Sequence, residues 1–327
     1  MAAISLNQKP STLSLWNKKR RLFPLLVLLF ISVYGNAQCL SSVNPVGGTN
    51  NLLVLEQNSL RIISFYKYGQ GNQYYEGTSP SDFDLISKAW YNYLSTTLGY
   101  GLTRKITLEL ETGYFFNKTQ NYDLTPQYRL TGQGLSNINM LGKFSLFSEP
   151  VKRIYITGAA GAKIPWSREP QFSQNVQLPV EVQPTIGAYG AILSASFVKE
   201  NSASGIRYFV TSRMETSSPN KNDYKLGNSY YTSIYVSKHL MFPWLKGDWT
   251  AILQLRNEIR ESDKIEGRIK ESSGSTLFFV SPQINYVLKE KWYLSGMIDI
   301  PVYQNFNGTQ LGAGPGFTFI LSRTFRL

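Results

Sequence analysis

From residue 59 onward the chain repeatedly alternates apolar and polar side chains. Ile106, Leu108, Leu110, Tyr114 and Phe116 share one face, interrupted by Thr112, while Thr107, Glu109, Glu111 and Gly113 share the other. Trp249, Ala251, Leu253, Leu255 and Ile259 oppose Thr250, Gln254, Arg256, Glu258 and Arg260. Phe317, Phe319, Leu321, Phe325 and Leu327 oppose Thr318, Ser322, Thr324 and Arg326. A period of two marks strands with two unlike faces. After the N-terminal apolar run no segment sustains a helical period.

The alternation predicts twelve strands: 59–68, 88–101, 106–117, 134–147, 154–164, 186–199, 205–216, 226–240, 247–261, 275–288, 291–303 and 314–327. Most exceed ten residues. Soluble strands usually run about five or six residues, whereas a tilted strand needs about nine to eleven to cross a bilayer. The connections alternate in length. Long ones cover 69–87, 118–133, 165–185, 217–225, 262–274 and 304–313; short ones cover 102–105, 148–153, 200–204, 241–246 and 289–290. Long loops at one end and tight turns at the other are how outer-membrane barrels are built. A soluble sandwich has no reason to keep that order. The expected fold class is therefore all-β: a transmembrane antiparallel up-and-down barrel of about 12 strands over residues 59–327, with both ends on the short-turn, periplasmic side.

Aromatics are 14% of the residues and charged residues only 17%, against about 25% charged in an average soluble chain. Tyr100, Phe144, Phe197, Trp249, Tyr286, Trp292 and Phe325 stand near the short-turn ends. Tyr114, Phe116, Tyr189, Tyr230, Phe278 and Phe317 stand near the long-loop ends. Two such rows match the aromatic girdles of a membrane barrel, although any strand favours aromatics.

The N-terminus reads as an export signal over residues 1–37. Lys18, Lys19, Arg20 and Arg21 precede an apolar run, Leu22 to Val33, and Gly35-Asn36-Ala37 supplies small residues for cleavage. The run is shorter than the roughly 20 residues of a spanning helix. Cys39 admits a lipoprotein reading, which Gln38 disfavours. Residues 38–58 form either a plug entering from the periplasm or a disordered leader. The five basic residues before Gln38 leave +7 of the formal +12 charge on the mature chain, scattered rather than clustered, so no nucleic-acid partner is expected.

Five segments stand between Gly134 and Leu311: Gly134-Leu135-Ser136-Asn137-Ile138, Gly161-Ala162-Lys163-Ile164-Pro165, Gln183-Pro184-Thr185-Ile186-Gly187, Ser281-Pro282-Gln283-Ile284-Asn285-Tyr286 and Ile300-Pro301-Val302-Tyr303-Gln304 followed by Gly308-Thr309-Gln310-Leu311. They resemble segments of the FadL-like and phenol MetA-pathway transporters of the Bacteroidetes outer membrane. They stand in family order, with Ser136-Asn137 where the family has Asp and Thr185 where it has Gly. The apolar C-terminal strand ending at Phe325 and Leu327 resembles a barrel-assembly signal. The resemblance implies passive passage of small, often hydrophobic or aromatic molecules. The implied partners are outer-membrane lipid and lipopolysaccharide, the barrel assembly machinery and a small-molecule solute.

Period-two register points Glu109, Glu111, Lys143, Arg207, Arg213, Arg256, Glu258, Arg260 and Asp299 into the lumen. They form either a selectivity lining or a set of mutually neutralising charges. With one His and one Cys, no metal site, cofactor or catalytic set is expected. A barrel hydrolase would have to use His239, which sits by a short turn. A surface-binding barrel with working loops is the other alternative. Gly158-Ala159-Ala160-Gly161-Ala162 reads as a strand of small residues, and Asn117-Lys118-Thr119 and Asn307-Gly308 read as loop chemistry.

Overall fold

The computed structural model describes residues 52–327 apart from 125, 127, 202–203, 241–246 and 290. The expected signal segment 1–37, the reading of Cys39 and residues 38–51 of the leader lie outside the described residues.

Twelve long strands form the wall: β1 (Ser59–Gly71), β2 (Ile86–Thr103), β3 (Ile106–Tyr122), β4 (Ile138–Glu149), β5 (Ile154–Ile164), β6 (Gly190–Asn201), β7 (Ile206–Glu215), β8 (Ser229–Leu240), β9 (Asp248–Arg260), β10 (Ser275–Leu288), β11 (Trp292–Leu311) and β12 (Gly316–Arg326). Each pairs antiparallel with its sequence neighbour, and β12 pairs with β1 from Ser59↔Arg326 to Tyr68↔Phe317. The ring is closed, so no edge is left to pair elsewhere. Every predicted strand overlaps an observed one, although β4 and β6 begin at Ile138 and Gly190 rather than at 134 and 186.

The two faces are inverted relative to a soluble protein. Along β3, Thr107, Glu109 and Glu111 are buried, while Leu108, Tyr114 and Phe116 are exposed. Leu253, Leu255, Ile298, Ile300, Phe317 and Phe319 are likewise exposed on other strands. An apolar exterior around a polar interior is stable against hydrocarbon. Outward aromatic contacts form near both rims. Tyr68 stacks on Phe317 at 5.4 Å and Phe278 meets Tyr303 at 5.8 Å near the long-loop end. Trp249 meets Tyr286 at 4.5 Å at the short-turn end.

Three expectations about connections need correction. Asn117-Lys118-Thr119 lies inside β3, not in a loop: a bulge between Phe115 and Lys118 turns Asn117 outward and Lys118 inward. Asn307-Gly308 lies inside β11, where a second bulge lets the strand continue to Leu311 and pair with the short strand Tyr74–Gly77. The expected long loop 304–313 therefore shrinks to residues 312–315. Bulges absorb an extra residue without ending a strand, and turn-favouring residues alone do not distinguish the two cases. The stretch opening at Gly134 is also interrupted. A separate strand, Tyr128–Leu135, pairs only with β3, and β4 begins beyond Ser136-Asn137.

Candidate functional site

Two arcs of the interior carry buried ion networks. On the β9-to-β1 arc, Asp299 of β11 accepts from Arg256 of β9 at 2.9 Å and pairs with Lys67 of β1 at 3.2 Å. Arg256 also reaches Glu258 at 2.7 Å, and Ser281 donates to Asp299 at 2.6 Å. On the β3-to-β7 arc, Arg213 of β7 makes a two-pronged contact with Glu111 of β3, at 3.0 and 2.8 Å. Arg213 also holds Glu215 at 2.8 Å, and Glu215 meets Lys163 of β5 at 3.3 Å. Asn139 of β4 donates to Glu111 at 3.0 Å. Lys143 pairs with Glu109 at 2.6 Å. Strands β3 and β7 stand four places apart in a ring of twelve. The Arg213–Glu111 contact is thus a chord through the lumen, not a neighbour contact along the wall. Its fork geometry suits a guanidinium and a carboxylate.

Seven of the nine residues expected inside, Glu109, Glu111, Lys143, Arg213, Arg256, Glu258 and Asp299, are buried in the interior. Arg260 is higher, towards the long loops, and reaches Asp263 at 2.6 Å. Arg207 stands on the short-turn rim, 55% exposed, within 3.4 Å of Glu200. Acids and bases pair across the interior rather than forming a lining of one sign. Sequence reading missed Lys67, Lys118, Lys163 and Glu215. In β1 both faces carry apolar residues, so Lys67 had no clear side. Lys118 lay one residue past the expected strand end. Glu215 shares parity with Arg213 on its own strand, and that signal was there to use; the strand of Lys163 is made of small residues on both faces and offered no such guide.

The interior also holds apolar groups. Phe65, Tyr91, Tyr93 and Phe115 form a buried cluster with Ile63 and Ile320. Tyr93 meets Phe115 at 4.5 Å between ring centroids.

Both mouths are covered. At the short-turn end Leu52 packs against Val198, Phe209, Tyr235 and Ile252 of β6 to β9. Its carbonyl accepts from Thr157 of β5 at 2.8 Å. Three residues on, the Leu55 N–H donates to Thr107 of β3 at 2.7 Å. The chain therefore crosses from one wall to the facing one. A Cβ on Gly101 of β2 would lie 2.0 Å from the Glu56 carbonyl oxygen, so only glycine admits so close a pass. At the long-loop end, the β5–β6 connection folds inward. Leu178 and Val182 bury against Leu130. Gln171 exchanges hydrogen bonds with the Gln133 backbone at 2.6 and 3.3 Å, and so pairs a strand edge that β5 does not reach. Thr185 donates to Asn137 at 2.6 Å. A Cβ on Gly132 would lie 2.1 Å from the Val182 carbonyl oxygen. Beneath this loop is a cavity of about 160 Å³ whose floor includes Glu111 and Glu215.

His239 lies at the short-turn end of β8, 43% exposed, with Nδ1 3.0 Å from Asp248. Among the described residues no group of three or more His, Cys, Asp or Glu side chains is placed to hold a metal.

No known family model matches the chain, and no curated protein matches it in sequence. Among solved structures, the COG4313 outer membrane channel from Pseudomonas putida F1 superposes with a TM-score of 0.66 at 13% identity, covering 87% of this chain and all of that one. The beta domain of the Bordetella autotransporter BrkA gives 0.47 at 6% identity over 82% of this chain and all of that one. A Pseudomonas aeruginosa FadL homologue gives 0.39 at 8% identity over 90% and 93%. At such identities the likeness is one of fold, and the fold shared with the Pseudomonas putida channel is a closed antiparallel outer-membrane barrel.

Proposed function

We propose that this chain is an outer-membrane channel for passive passage of small molecules, with the short-turn mouth in the periplasm. One observation carries the reading. The barrel interior is polar and holds a cavity, and each mouth is covered by a chain segment that is not part of the wall. A barrel of twelve strands has a wider lumen than an eight-stranded one, which side chains can fill. The fold shared with the Pseudomonas putida channel supports it. The ordered motifs from Gly134 to Leu311 support grouping it with the FadL-like and phenol-pathway transporters of Bacteroidetes, and residues 1–37 support export by a cleaved signal.

The surface fits an outer-leaflet partner. Lys88 and Arg129 both approach the outward Trp90 ring, at 5.8 and 5.7 Å. Two cations at an aromatic girdle suit the phosphates of lipopolysaccharide. Strand β12, with Phe325, is the segment we assign to the assembly machinery.

The test is single-channel recording of the reconstituted protein with a panel of solutes, with liposome swelling as a second measure. Measurable passage of at least one small solute is expected; no conductance and no swelling would overturn the reading. The covered mouths favour one alternative, a surface-binding barrel whose loops do the work. In that case deleting 166–184 abolishes binding and leaves permeability unchanged. A hydrolase built on His239 would lose its activity on replacement of that residue. The channel reading expects His239→Ala to conduct as wild type does.

A further inference from the structure

The cavity beneath the β5–β6 loop contains one charge that no carboxylate contacts among the described residues. Six charged side chains line it: Glu111, Lys118, Lys163, Glu181, Glu215 and Arg260. Five have partners. Arg213 holds Glu111 at 2.8 Å, Lys163 and Glu215 hold each other at 3.3 Å, Arg260 reaches Asp263 at 2.6 Å, and Lys270 reaches Glu181 at 3.2 Å. Lys118 is the exception: Glu181 attracts it and Arg260 repels it from beyond contact distance. Lys118 is only 7% exposed. Its Nζ donates to the Gln183 carbonyl at 2.9 Å and stands 5.2 Å from the centre of the Phe115 ring. Among the described residues no carboxylate lies within ion-pair distance of it. An ammonium has three N–H donors, so two are left over. A buried charge without a counter-ion is costly, and the cavity is the space from which a counter-ion can come.

We infer that this cavity binds a compact organic monoanion, with the anionic end on Lys118 and the body against the rings of Phe115, Tyr93 and Tyr231. The inference rests on the channel reading only for its purpose, a selective station on the route between the mouths. Three features fix the ligand class. The sign comes from Lys118. The single charge comes from Glu111, Glu181 and Glu215 on the same cavity, which repel a second negative group even though each is already paired. The size comes from the volume of about 160 Å³, since a cavity of about 150 Å³ takes a benzene ring. A long acyl chain does not fit. A carboxylate of benzoate size does.

The test is equilibrium binding to the full-length protein in detergent, with benzoate, its neutral counterpart benzamide and the dianion phthalate as probes. Wild type should bind benzoate about tenfold or more tighter than benzamide, the worth of one charge-assisted hydrogen bond, and should bind phthalate more weakly than benzoate. Lys118→Met should lose the preference for benzoate over benzamide, and Lys118→Arg should keep it. Equal binding of benzoate and benzamide by wild type, or an undiminished preference in Lys118→Met, overturns the inference. Tighter binding of phthalate than benzoate overturns the single-charge argument and with it the ligand class. If Lys118→Met fails to give the folded, heat-modifiable band on a gel, the wild-type probe series and Lys118→Arg still decide. Binding is read without any membrane, so a protein that binds benzoate and conducts nothing refutes the channel and leaves this site standing.

Discussion

The two covers of the barrel are built in opposite ways. At the short-turn mouth a single pass of chain crosses the lumen: residues 52–55 are held by two buried leucines and two hydrogen bonds to the wall, Leu55 to Thr107 and Thr157 to Leu52, while Glu56 and Asn58 are tied to the rim at Arg326, Gly101 and Leu327. At the long-loop mouth the cover is a folded element. Gln183 donates to the Leu178 carbonyl at 2.9 Å and accepts from the Gln171 backbone at 2.8 Å, so the loop is tied to itself before it is tied to the wall. A further layer sits nearby, in which Tyr224–Lys225, Lys264–Ile265 and Arg268–Ile269 form a three-stranded sheet. Each net hydrogen bond is worth about 1 kcal/mol, and few contacts over few residues mean easy local opening. The inner stretch 52–55 of the short-turn cover is therefore the part that yields first, and the long-loop cover is the firmer roof over the cavity.

Glycine marks the contact of each cover with the wall, which makes the contrast easy to break. Gly101→Val places a side chain where the Glu56 carbonyl now lies, 2.0 Å from its Cβ. The clash falls between the rim attachments at Asn58 and the two bonds of residues 52–55, which are too few to hold that inner stretch in the mouth. Single-channel conductance should rise on the order of severalfold, as expected when a plug leaves a twelve-stranded lumen. This is the largest effect anticipated, and an unchanged conductance removes the claim that residues 52–58 obstruct the route.

The chord beneath the roof comes next. Arg213→Met strands Glu111 in the interior, while Lys163 still holds Glu215, and breaking a buried pair by removing one partner costs about 3–5 kcal/mol. The temperature at which the band on a gel shifts to its unfolded position should fall clearly. Adding Glu111→Gln should recover part of the loss, because it removes the stranded charge. A double variant no more stable than the single one would mean that Arg213 acts through something other than its charge.

Gly132→Val attacks the roof, with a Cβ 2.1 Å from the Val182 carbonyl oxygen. The loop has other attachments, at Asn137, at Gln133 and at Lys118. It should shift rather than leave, and conductance should rise less than in Gly101→Val. A rise as large as that of Gly101→Val would erase the difference between the covers.

How much of this the sequence carried depends on range. Strand identity and the inward face are local and have period two. Glu109, Glu111, Arg256 and Glu258 were legible because long apolar rows lay opposite them. The alternation of loop lengths gave the closed ring. Partnership inside the lumen was not legible, because Arg213 and Glu111 are 102 residues apart and meet only once twelve strands have closed. The bulges at Phe115/Lys118 and Phe306/Thr309 also escaped. A bulge flips the parity of everything beyond it, and that hid Lys118, the residue on which the cavity's chemistry turns. The inward fold of the β5–β6 connection left no periodic trace.

The smallest effect anticipated lies outside the bilayer, in the sheet layer near the roof. Burial pushes the Tyr224 hydroxyl up from its ordinary value, and its hydrogen bond to Asp263 pushes it further. The neutral phenol donates to the carboxylate; the phenolate would face it with like charge. The favoured form in the folded loop is therefore the protonated one. Its contribution is complete below the ordinary tyrosine value of about 10 and is lost as pH rises through the raised value. The difference in ultraviolet absorbance between wild type and Tyr224→Phe should titrate above that ordinary value, and a midpoint at or below it would contradict the geometry. Phenylalanine keeps the ring that lies 5.4 Å from the Lys270 ammonium, and Arg260 still holds Asp263. Tyr224→Phe should therefore leave conductance at neutral pH unchanged, which separates the outer layer from the roof that covers the cavity.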